Sequence, residues 1–443
     1  MALFAPLCLK KGKQQQTKNK KKKRSVVKIN HIAGREIFSS SGEPTLCCDI
    51  ILEDGKQVVA SIPSDPLMEQ EGYFVCYDGG SRCGGKGMQK AVSHIDSLIA
   101  PAFLGKEPDL FVLDAILSEL DGTSERSTLG ANVTLVTSMA ICKAQAIVQE
   151  AELFETIAQL QGSSSVSLPF PLMTVISGGK ELQNGFPFEA VFLVPVGAQN
   201  YKIALEYALV VFHDYKKRLK SVNKKMCITD CGGISSFCDS FYQPIDLLIE
   251  SLKSTGLESY FVIGFDAKAD TLYDSQKKLY EWAGKEKTAQ EMILFYQELC
   301  GSYPVYSLEN ALSWQDIEGS RALFETLGSS VQIAMNEGFV HSATLLQGLD
   351  AQCMANASII RLAGASTVSE LLESISFCQS YGLNTVISVG QGETEETFLA
   401  DLAVGTSSGQ VQAGGGARSE FMAKYNRLLY IEDFLASQLL DRA

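Results

Sequence analysis

The sequence predicts an α/β protein in which a small α+β region precedes a larger α/β barrel. Two observations support this fold class. The chain has 443 residues, which exceeds one ordinary small domain and fits a small domain followed by a barrel of roughly 250 residues. Beyond residue 168, short apolar strands alternate with helical stretches, which indicates parallel strands joined by crossover helices and closed into a barrel.

The region from residue 25 to 161 is predicted to open with three strands and to continue with three helices. Asp54-Gly55-Lys56 is a tight-turn sequence that joins the last two strands into a hairpin. The predicted strands are Val26–Ile32, Leu46–Glu53 and Gln57–Ile62. Helical periodicity follows at Gly87–Ile99, Asp109–Leu120 and Gly130–Glu152. A Gly/Ser stretch at residues 162–165 marks the boundary with the next region.

The region from residue 168 to 443 carries the alternating strands of the predicted barrel. These strands are Leu172–Ile176, Ala190–Pro195, Tyr260–Phe265, Val305–Leu308, Val331–Met335, Ser358–Leu362 and Thr385–Val389. In such barrels the functional site lies at the C-terminal ends of the strands. The candidate site residues at those ends are Glu181, Asp230, Cys231, Asp266, Glu309, Asn336, Arg361 and Gln391.

The N-terminal 24 residues concentrate positive charge in an otherwise acidic chain. The segment from Lys10 to Arg24 holds nine lysines and arginines, and removing them from the net charge of −13 leaves −22 on the remainder. An acidic body does not attract nucleic acid, so binding to nucleic acid or another polyanion is expected only through Lys10–Arg24. The segment is interpreted either as a disordered, solvated leader or as a basic signal for nuclear entry.

The remaining composition indicates a cytoplasmic protein without membrane contact. No apolar run approaches the roughly 20 residues that a membrane span needs. The apolar opening residues precede the lysines, which is the wrong order for a signal peptide. Twelve cysteines in a chain without an export signal are interpreted as reduced thiols.

Several motifs resemble those of one known family, the enolases. They are Gly42-Glu43-Pro44-Thr45, Leu129-Gly130-Ala131-Asn132, Gly264-Phe265-Asp266, Tyr303–Glu309, Gly392–Leu402 and Ala417-Arg418-Ser419-Glu420. The resemblance extends from Val26 to about Leu439 and implies a small N-terminal α+β domain capping an enolase-type (β/α)8 TIM-like barrel. It also implies reversible dehydration of 2-phosphoglycerate to phosphoenolpyruvate with Mg²⁺ and no organic cofactor.

The resemblance places a weakened magnesium site at three strand ends. Asp266 and Glu309 stand where enolases have the first two of three magnesium carboxylates, and Asn336 stands at the third. Affinity for hard cations follows ligand charge, so loss of one carboxylate weakens Mg²⁺ binding. The alternative is a pair of solvated carboxylates without an ion. Glu337 is also acidic, but consecutive side chains at a strand end point different ways.

The proton-transfer positions of the family are also replaced. Arg361 occupies the position of the catalytic lysine, and its guanidinium cannot lose a proton near neutral pH. Gln412 replaces a second lysine. Cys231 and Ala190 replace two glutamates, and Glu189, beside Ala190, is expected to face away from the barrel mouth.

The loops that hold substrate in enolases differ as well. Leu67 stands at the serine of the first mobile loop, and Glu181 stands at the histidine of the second. Val389, Gly390 and Gln391 replace a histidine, the phosphate-binding arginine and a serine. The barrel mouth is therefore expected to be acidic and to favour a cation over a phosphorylated acid.

Together these replacements predict an enolase-family protein that has lost 2-phosphoglycerate dehydration and keeps a binding or scaffolding role. A first alternative is a residual phosphopyruvate hydratase, a Mg²⁺-dependent lyase of glycolysis. A second is a nuclear or polyanion-binding role through the basic segment. The partner is expected to be an unidentified protein or a second copy of the chain. Cys47 and Tyr430 stand where a glutamate and an arginine of the dimer interface are expected in enolases.

Overall fold

The computed structural model describes residues 27–163, 165–336 and 353–440. The basic segment Lys10–Arg24 and the acidic residue Glu337 lie outside the described residues, so predictions about them stay predictions.

The N-terminal region begins with a three-stranded antiparallel sheet, β1 (Ile29–Phe38), β2 (Pro44–Leu52) and β3 (Gln57–Ser61). The predicted strand and hairpin are confirmed, although β1 extends well beyond Ile32. Gly55 in the β2–β3 turn has φ 83°, a conformation that glycine adopts without steric cost.

Six α-helices follow the sheet, and α2, α3 and α5 pack against it: α1 (Leu67–Gln70), α2 (Gln89–His94), α3 (Ala100–Phe103), α4 (Leu110–Asp121), α5 (Ala131–Gln149) and α6 (Leu153–Leu160). A π-helical stretch, Ile95–Ile99, joins α2 to α3. The Asp109 side chain caps α4 by accepting from the Val112 N–H at 3.2 Å. Helix α5 is long and apolar enough to pass a composition test for a membrane span, but 78% of its apolar window is buried inside the protein. It is the central core helix of this region.

Eleven strands form the second sheet, and eight of them close into a barrel. The strands are β4 (Phe170–Pro171), β5 (Met173–Ser177), β6 (Ala190–Pro195), β7 (Met226–Ile228), β8 (Ile234–Ser236), β9 (Phe261–Asp266), β13 (Val305–Glu309), β14 (Gln332–Met335), β15 (Ala357–Arg361), β16 (Asn384–Ser388) and β17 (Gly409–Gln412). The strands β10 (Tyr273–Asp274), β11 (Leu279–Trp282) and β12 (Lys285–Lys287) form a separate small sheet. Around the barrel the order is β17, β16, β15, β14, β13, β9, β6, β5. Closure comes from the Leu172 N–H, which donates to the Val411 carbonyl at 2.8 Å.

One strand runs against the predicted direction. β6 is antiparallel to both of its neighbours, β5 and β9, so the expectation of an all-parallel barrel is wrong. The connection from β5 to β6, residues 178–189, contains no helix. A short connection of this kind returns the chain beside its own strand in the antiparallel sense, whereas parallel neighbours need a crossover.

Strand β17 escaped prediction because its inward-facing residues are polar. Gln410 donates to the Gln332 side-chain oxygen at 2.7 Å across the barrel interior. The Gln332 amide donates in turn to Ser307 Oγ at 3.1 Å. Since these buried groups satisfy one another, the strand lacks the apolar pattern on which strand prediction depends.

Seven helices surround the barrel in the described part of the chain. They are α7 (Tyr201–Ser221), α8 (Tyr242–Thr255), α9 (Ala289–Ser302), α10 (Ile317–Leu327), α11 (Val368–Ser380), α12 (Phe398–Gly405) and α13 (Ser419–Leu440).

The N-terminal region sits against the barrel through buried polar contacts. Arg126 pairs with Glu370 at 2.6 Å, and Lys143 pairs with Glu396 at 2.6 Å. The Ser64 N–H donates to the Gly392 carbonyl at 2.9 Å. These contacts hold the segment that follows β3 over the C-terminal ends of the barrel strands.

Candidate functional site

A cavity of about 350 Å³ opens where the N-terminal region covers the barrel mouth. Its lining is rich in carboxylates, while Lys86 is the basic residue that reaches its wall. The charged and reactive lining residues are Glu43, Glu69 and Lys86 from the N-terminal region, and Glu181, Glu189, Asp230 and Cys231 from the barrel. Gly390 and Gln391, which follow β16, complete the wall near the strand ends.

Most of these carboxylates already have cationic partners. Glu43 accepts from Lys86 Nζ at 2.8 Å, and Asp230 lies 3.1 Å from Arg418. Glu181 lies 3.4 Å from Lys268 Nζ. The predicted acidic mouth is therefore less negative than its carboxylate composition alone indicates.

The strand ends of β9 and β13 bring two predicted metal ligands side by side. Asp266 and Glu309 are Cα partners in the sheet, but neither lines the cavity above them. Glu309 is fully buried, and one of its oxygens lies 3.4 Å from Gln412 Nε2. Its other oxygen has no hydrogen-bond partner among the described residues. Burial, reinforced by the negative charge of Asp266, raises the pKa of Glu309 well above its usual value.

Asn336 follows β14 and completes the set of predicted metal positions. Its Nδ2 donates to Asp270 Oδ2 at 2.8 Å, while its Oδ1 has no partner within the described part of the chain. Burial raises the pKa of Asp270, although donors from Ser313, Trp314 and Asn336 oppose the shift.

These residues do not fit a Mg²⁺ ion of the family type. The described residues contain no group of three or more His, Cys, Asp or Glu side chains placed to hold a metal. Asp266 and Glu309 are the two carboxylates at the predicted metal positions. Burial holds Glu309 toward its neutral form, so a metal would first have to displace a proton from it. The amide of Asn336 supplies an oxygen without a charge, and hard divalent cations bind most tightly to charged oxygens.

Arg361 stands at the predicted base position at the end of β15, and its positive charge acts on Asp65, an aspartate that no sequence motif indicated. Asp65 comes from the segment after β3 and is only 8% exposed. One of its oxygens accepts from the Leu67 N–H at 3.0 Å and the other from the Gln391 N–H at 3.1 Å. Burial raises the pKa of Asp65, and the positive charge of Arg361 opposes that shift.

A second missed residue, Lys268, lies two positions after Asp266. Its Nζ lies 3.4 Å from Glu181 and 3.5 Å from Glu189. Burial by itself would lower the pKa of Lys268, but the nearby carboxylates outweigh it and raise that pKa. Lys268 is therefore a protonated counter-ion.

Glu189 corrects an expectation. It was expected to face away from the mouth, yet it lines the cavity and contacts Lys268. The residue precedes β6 instead of lying within it, so the strand alternation that predicted an outward side chain does not apply. Ala190 is the first residue of β6 and pairs with Asp266 across the sheet. Burial raises the pKa of Glu189.

Cys231 lies in the cavity wall as a hydrogen-bonded thiol. Its Sγ is 3.0 Å from Ser177 Oγ and 3.1 Å from Thr229 Oγ1. No histidine of the described residues lines the cavity, so no imidazole is placed in its wall to activate this thiol.

Of the other predicted positions, Leu67 and Val389 pack in the core, whereas Gln412 contacts Glu309. Leu67 is buried at the start of α1 and packs into the core, away from the cavity. Val389 packs against the same core, and its N–H donates to the Gln412 carbonyl at 2.9 Å. Gln412 faces Glu309, and its side-chain oxygen accepts from Ser388 Oγ at 3.0 Å.

A capped α/β barrel with carboxylates at consecutive strand ends defines a class of two-domain proteins whose site lies beneath the cap. Comparison with known proteins identifies the family within that class. Residues 29–157 match the family described as "Enolase, N-terminal domain", and residues 165–440 match "Enolase, C-terminal TIM barrel domain". The chain belongs to the enolase family.

Two curated relatives show how much of the chain this similarity covers. An enolase of Anaplasma phagocytophilum (strain HZ) is 34% identical over 95% of this chain and 98% of its own length. An enolase of Corynebacterium kroppenstedtii is 34% identical over 93% of this chain and 96% of its own length. The similarity therefore spans both regions and includes the barrel mouth.

Proposed function

We propose that this chain is a non-catalytic member of the enolase family with a binding or scaffolding role. The observation that carries the proposal is Arg361 at the base position on β15. Removing a carbon-bound proton requires a group that can itself be deprotonated, and a guanidinium stays charged. Lys268, two residues after Asp266, is held in its charged form by Glu189 and Glu181.

The electrophilic side of the reaction lacks support as well. Glu309 is held toward neutrality, and Asn336 brings no charge, so a dianionic intermediate would find little stabilisation at these strand ends. Gly390 has no side chain with which to hold a phosphate.

Turnover of 2-phosphoglycerate with saturating Mg²⁺ tests the proposal directly. The Corynebacterium kroppenstedtii enolase serves as the positive control and heat-treated protein as the blank. We expect no turnover above the blank. Turnover that Glu309→Gln abolishes would reject the proposal and establish the alternative, a Mg²⁺-dependent phosphopyruvate hydratase acting in glycolysis.

The ligand class that the cavity favours is a cation. Glu69 is an exposed carboxylate at the cavity wall, and the other lining carboxylates outnumber Lys86. Calorimetric titration with spermidine, calcium and phosphoenolpyruvate distinguishes the classes. Heat from spermidine or calcium that Glu69→Gln reduces would support the proposal, and preferential binding of phosphoenolpyruvate would overturn it.

The oligomeric state is a further part of the proposal, with a second copy of the chain as the alternative to a monomer. Tyr430 is 49% exposed, and its hydroxyl donates to Glu152 at 3.2 Å. Cys47 accepts from Arg35 at 3.3 Å within the chain. Neither position supplies the charge that an enolase-type ion pair between subunits would need. Size-exclusion chromatography with light scattering distinguishes a monomer, which we expect, from a dimer.

A role for the basic segment is a separate proposal. Nuclear entry or polyanion binding through Lys10–Arg24 predicts that deleting residues 1–24 moves the protein to a wholly cytoplasmic distribution. Unchanged localisation after the deletion would remove this role and leave the cytoplasmic assignment as the prediction.

A further inference from the structure

The segment between β3 and α1 crosses the barrel mouth and inserts one side chain into it. The Ser64 N–H donates to the Gly392 carbonyl at 2.9 Å, which anchors the segment to the loop after β16. Asp65 follows and is 8% exposed, so its carboxyl group is enclosed at the strand ends. The Gln391 N–H, from the same loop, donates to Asp65 Oδ2 at 3.1 Å.

Asp65 and Gly390 fit each other closely. A Cβ atom added to Gly390 would lie 1.7 Å from Asp65 Oδ2, far inside any van der Waals contact. The positive charge of Arg361, at the end of β15, acts on the same carboxyl group. Asp65 therefore occupies the space that a side chain at position 390 would need.

The groups around the Asp65 carboxyl are those that bind oxyanions. Backbone N–H groups and a guanidinium together form a typical site for a carboxylate or phosphate oxygen. A carboxyl group tethered to the chain competes with free anions at a high effective concentration.

We propose that Asp65 is a built-in occupant of an oxyanion position formed by the Gln391 N–H and Arg361, and that it excludes phosphorylated ligands from the barrel mouth. Without the Asp65 side chain, the same position takes inorganic phosphate. This inference rests on the proposed function in one respect, because it explains why a chain with enolase framework motifs would not hold a phosphorylated substrate.

Calorimetric titration with inorganic phosphate at fixed pH and ionic strength tests the inference, using the full-length chain. We expect Asp65→Ala to bind phosphate about tenfold or more tightly than the wild type, since it removes the competing carboxyl group and frees the Gln391 N–H near the positive charge of Arg361. Glu395→Ala is the matched control, because it removes an exposed carboxylate from the loop after β16 without altering the cavity lining or Asp65. This control should bind phosphate like the wild type.

A double variant and a more conservative single substitution serve as further controls. Asp65→Ala combined with Arg361→Gln should lose the gained affinity. Asp65→Ser keeps a hydroxyl that can accept from the Leu67 N–H, so it replaces Asp65→Ala if that variant does not fold. Phosphate binding to a folded Asp65→Ala or Asp65→Ser variant no tighter than to wild type overturns the inference. Tight binding of phosphate to the wild type would also overturn the inference.

The readout is binding and not turnover, so failure of the inference can be told apart from failure of the proposed function. Wild-type turnover of 2-phosphoglycerate would reject both, because a phosphorylated substrate would then enter the barrel mouth. Unchanged phosphate affinity in Asp65→Ala would reject the inference and leave the absence of a base at Arg361 in place.

Discussion

Two regions of the protein differ in how their buried polar groups are paired. One is the packed structure away from the barrel mouth, here called the framework, and the other is the set of strand ends at the mouth. In the framework, Arg427 pairs with Asp401 at 2.6 Å and with Glu152 at 2.7 Å. Lys424, fully buried, lies 3.0 Å from Glu393. At the mouth, Glu309, Asn310 and Asn336 each keep a buried side-chain oxygen without a partner among the described residues.

This difference distinguishes buried polar groups that stabilise the fold from those that are candidates for a function. A buried charge destabilises the fold unless it is paired, and the charges of Arg427 and Lys424 are paired with carboxylates in this way. Buried polar atoms left unpaired at a strand end mark a place where the sequence does not serve packing alone. Two of these residues, Glu309 and Asn336, stand at predicted metal positions.

The largest effect that would sharpen the comparison is expected at Lys424. Replacing it in Lys424→Met leaves Glu393 buried and uncompensated, which should cost about 3–5 kcal/mol of unfolding free energy. Urea denaturation measures this loss. The double variant Lys424→Met with Glu393→Leu should recover much of it, and an equal loss in both variants would show that packing, not charge, dominates there.

Asp114 is a framework residue whose buried carboxyl group is only partly hydrogen-bonded. Its Oδ2 accepts from Ser369 Oγ at 2.6 Å and Ser138 Oγ at 2.9 Å, whereas Oδ1 is unpaired within the described residues. Burial raises the pKa of Asp114 to about 6, against the opposing effect of those hydrogen bonds.

The pKa of Asp114 is higher in the folded state than in the unfolded state. Its contribution to stability is therefore fully present at low pH, where the carboxyl group is protonated, and is lost as pH rises. Between pH 4 and 6 the wild type should therefore lose up to about 3 kcal/mol relative to Asp114→Asn. Thermal denaturation of both proteins across this range measures the difference. Parallel pH curves for the two proteins would contradict the assignment.

At the mouth, Asn336→Asp should restore the missing charge. We expect Mg²⁺ affinity to rise about tenfold, because hard cations gain from each added carboxylate. Calorimetry with magnesium chloride measures the change. Asn310→Asp is the matched control, since it adds the same charge at a neighbouring position, and an equal gain there would argue for general charge attraction instead of a specific ligand.

The smallest effect is expected for Glu309→Gln. Because burial holds the carboxyl toward neutrality, the substitution should change unfolding free energy by less than about 1 kcal/mol near pH 4, where a glutamate of the unfolded chain is also largely protonated. At higher pH the wild type should weaken while the variant does not, since the raised folded pKa makes ionisation destabilising. Urea denaturation at two pH values checks this, and a large loss at neutral pH would mean that Glu309 is ionised and paired.

Much of the fold could be predicted because periodicity is local. The three N-terminal strands and the apolar barrel strands carry patterns that reflect the burial of their own residues. β17 could not be predicted, because its buried glutamines are satisfied by residues far away in the chain. The direction of β6 depends on which neighbours it pairs with, and no local pattern reports that.

The sequence by itself determined which chemistry is available at the mouth: a guanidinium at 361, an amide at 336 and a thiol at 231 cannot act as the lysine and carboxylates of the family. Only the tertiary structure decided how the remaining charges act. It turns Glu189 toward Lys268, encloses Asp65 against Gly390 and buries Glu309. Side-chain identity is a property of one position, whereas orientation and ionisation depend on distance and dielectric, which folding sets among residues remote in sequence.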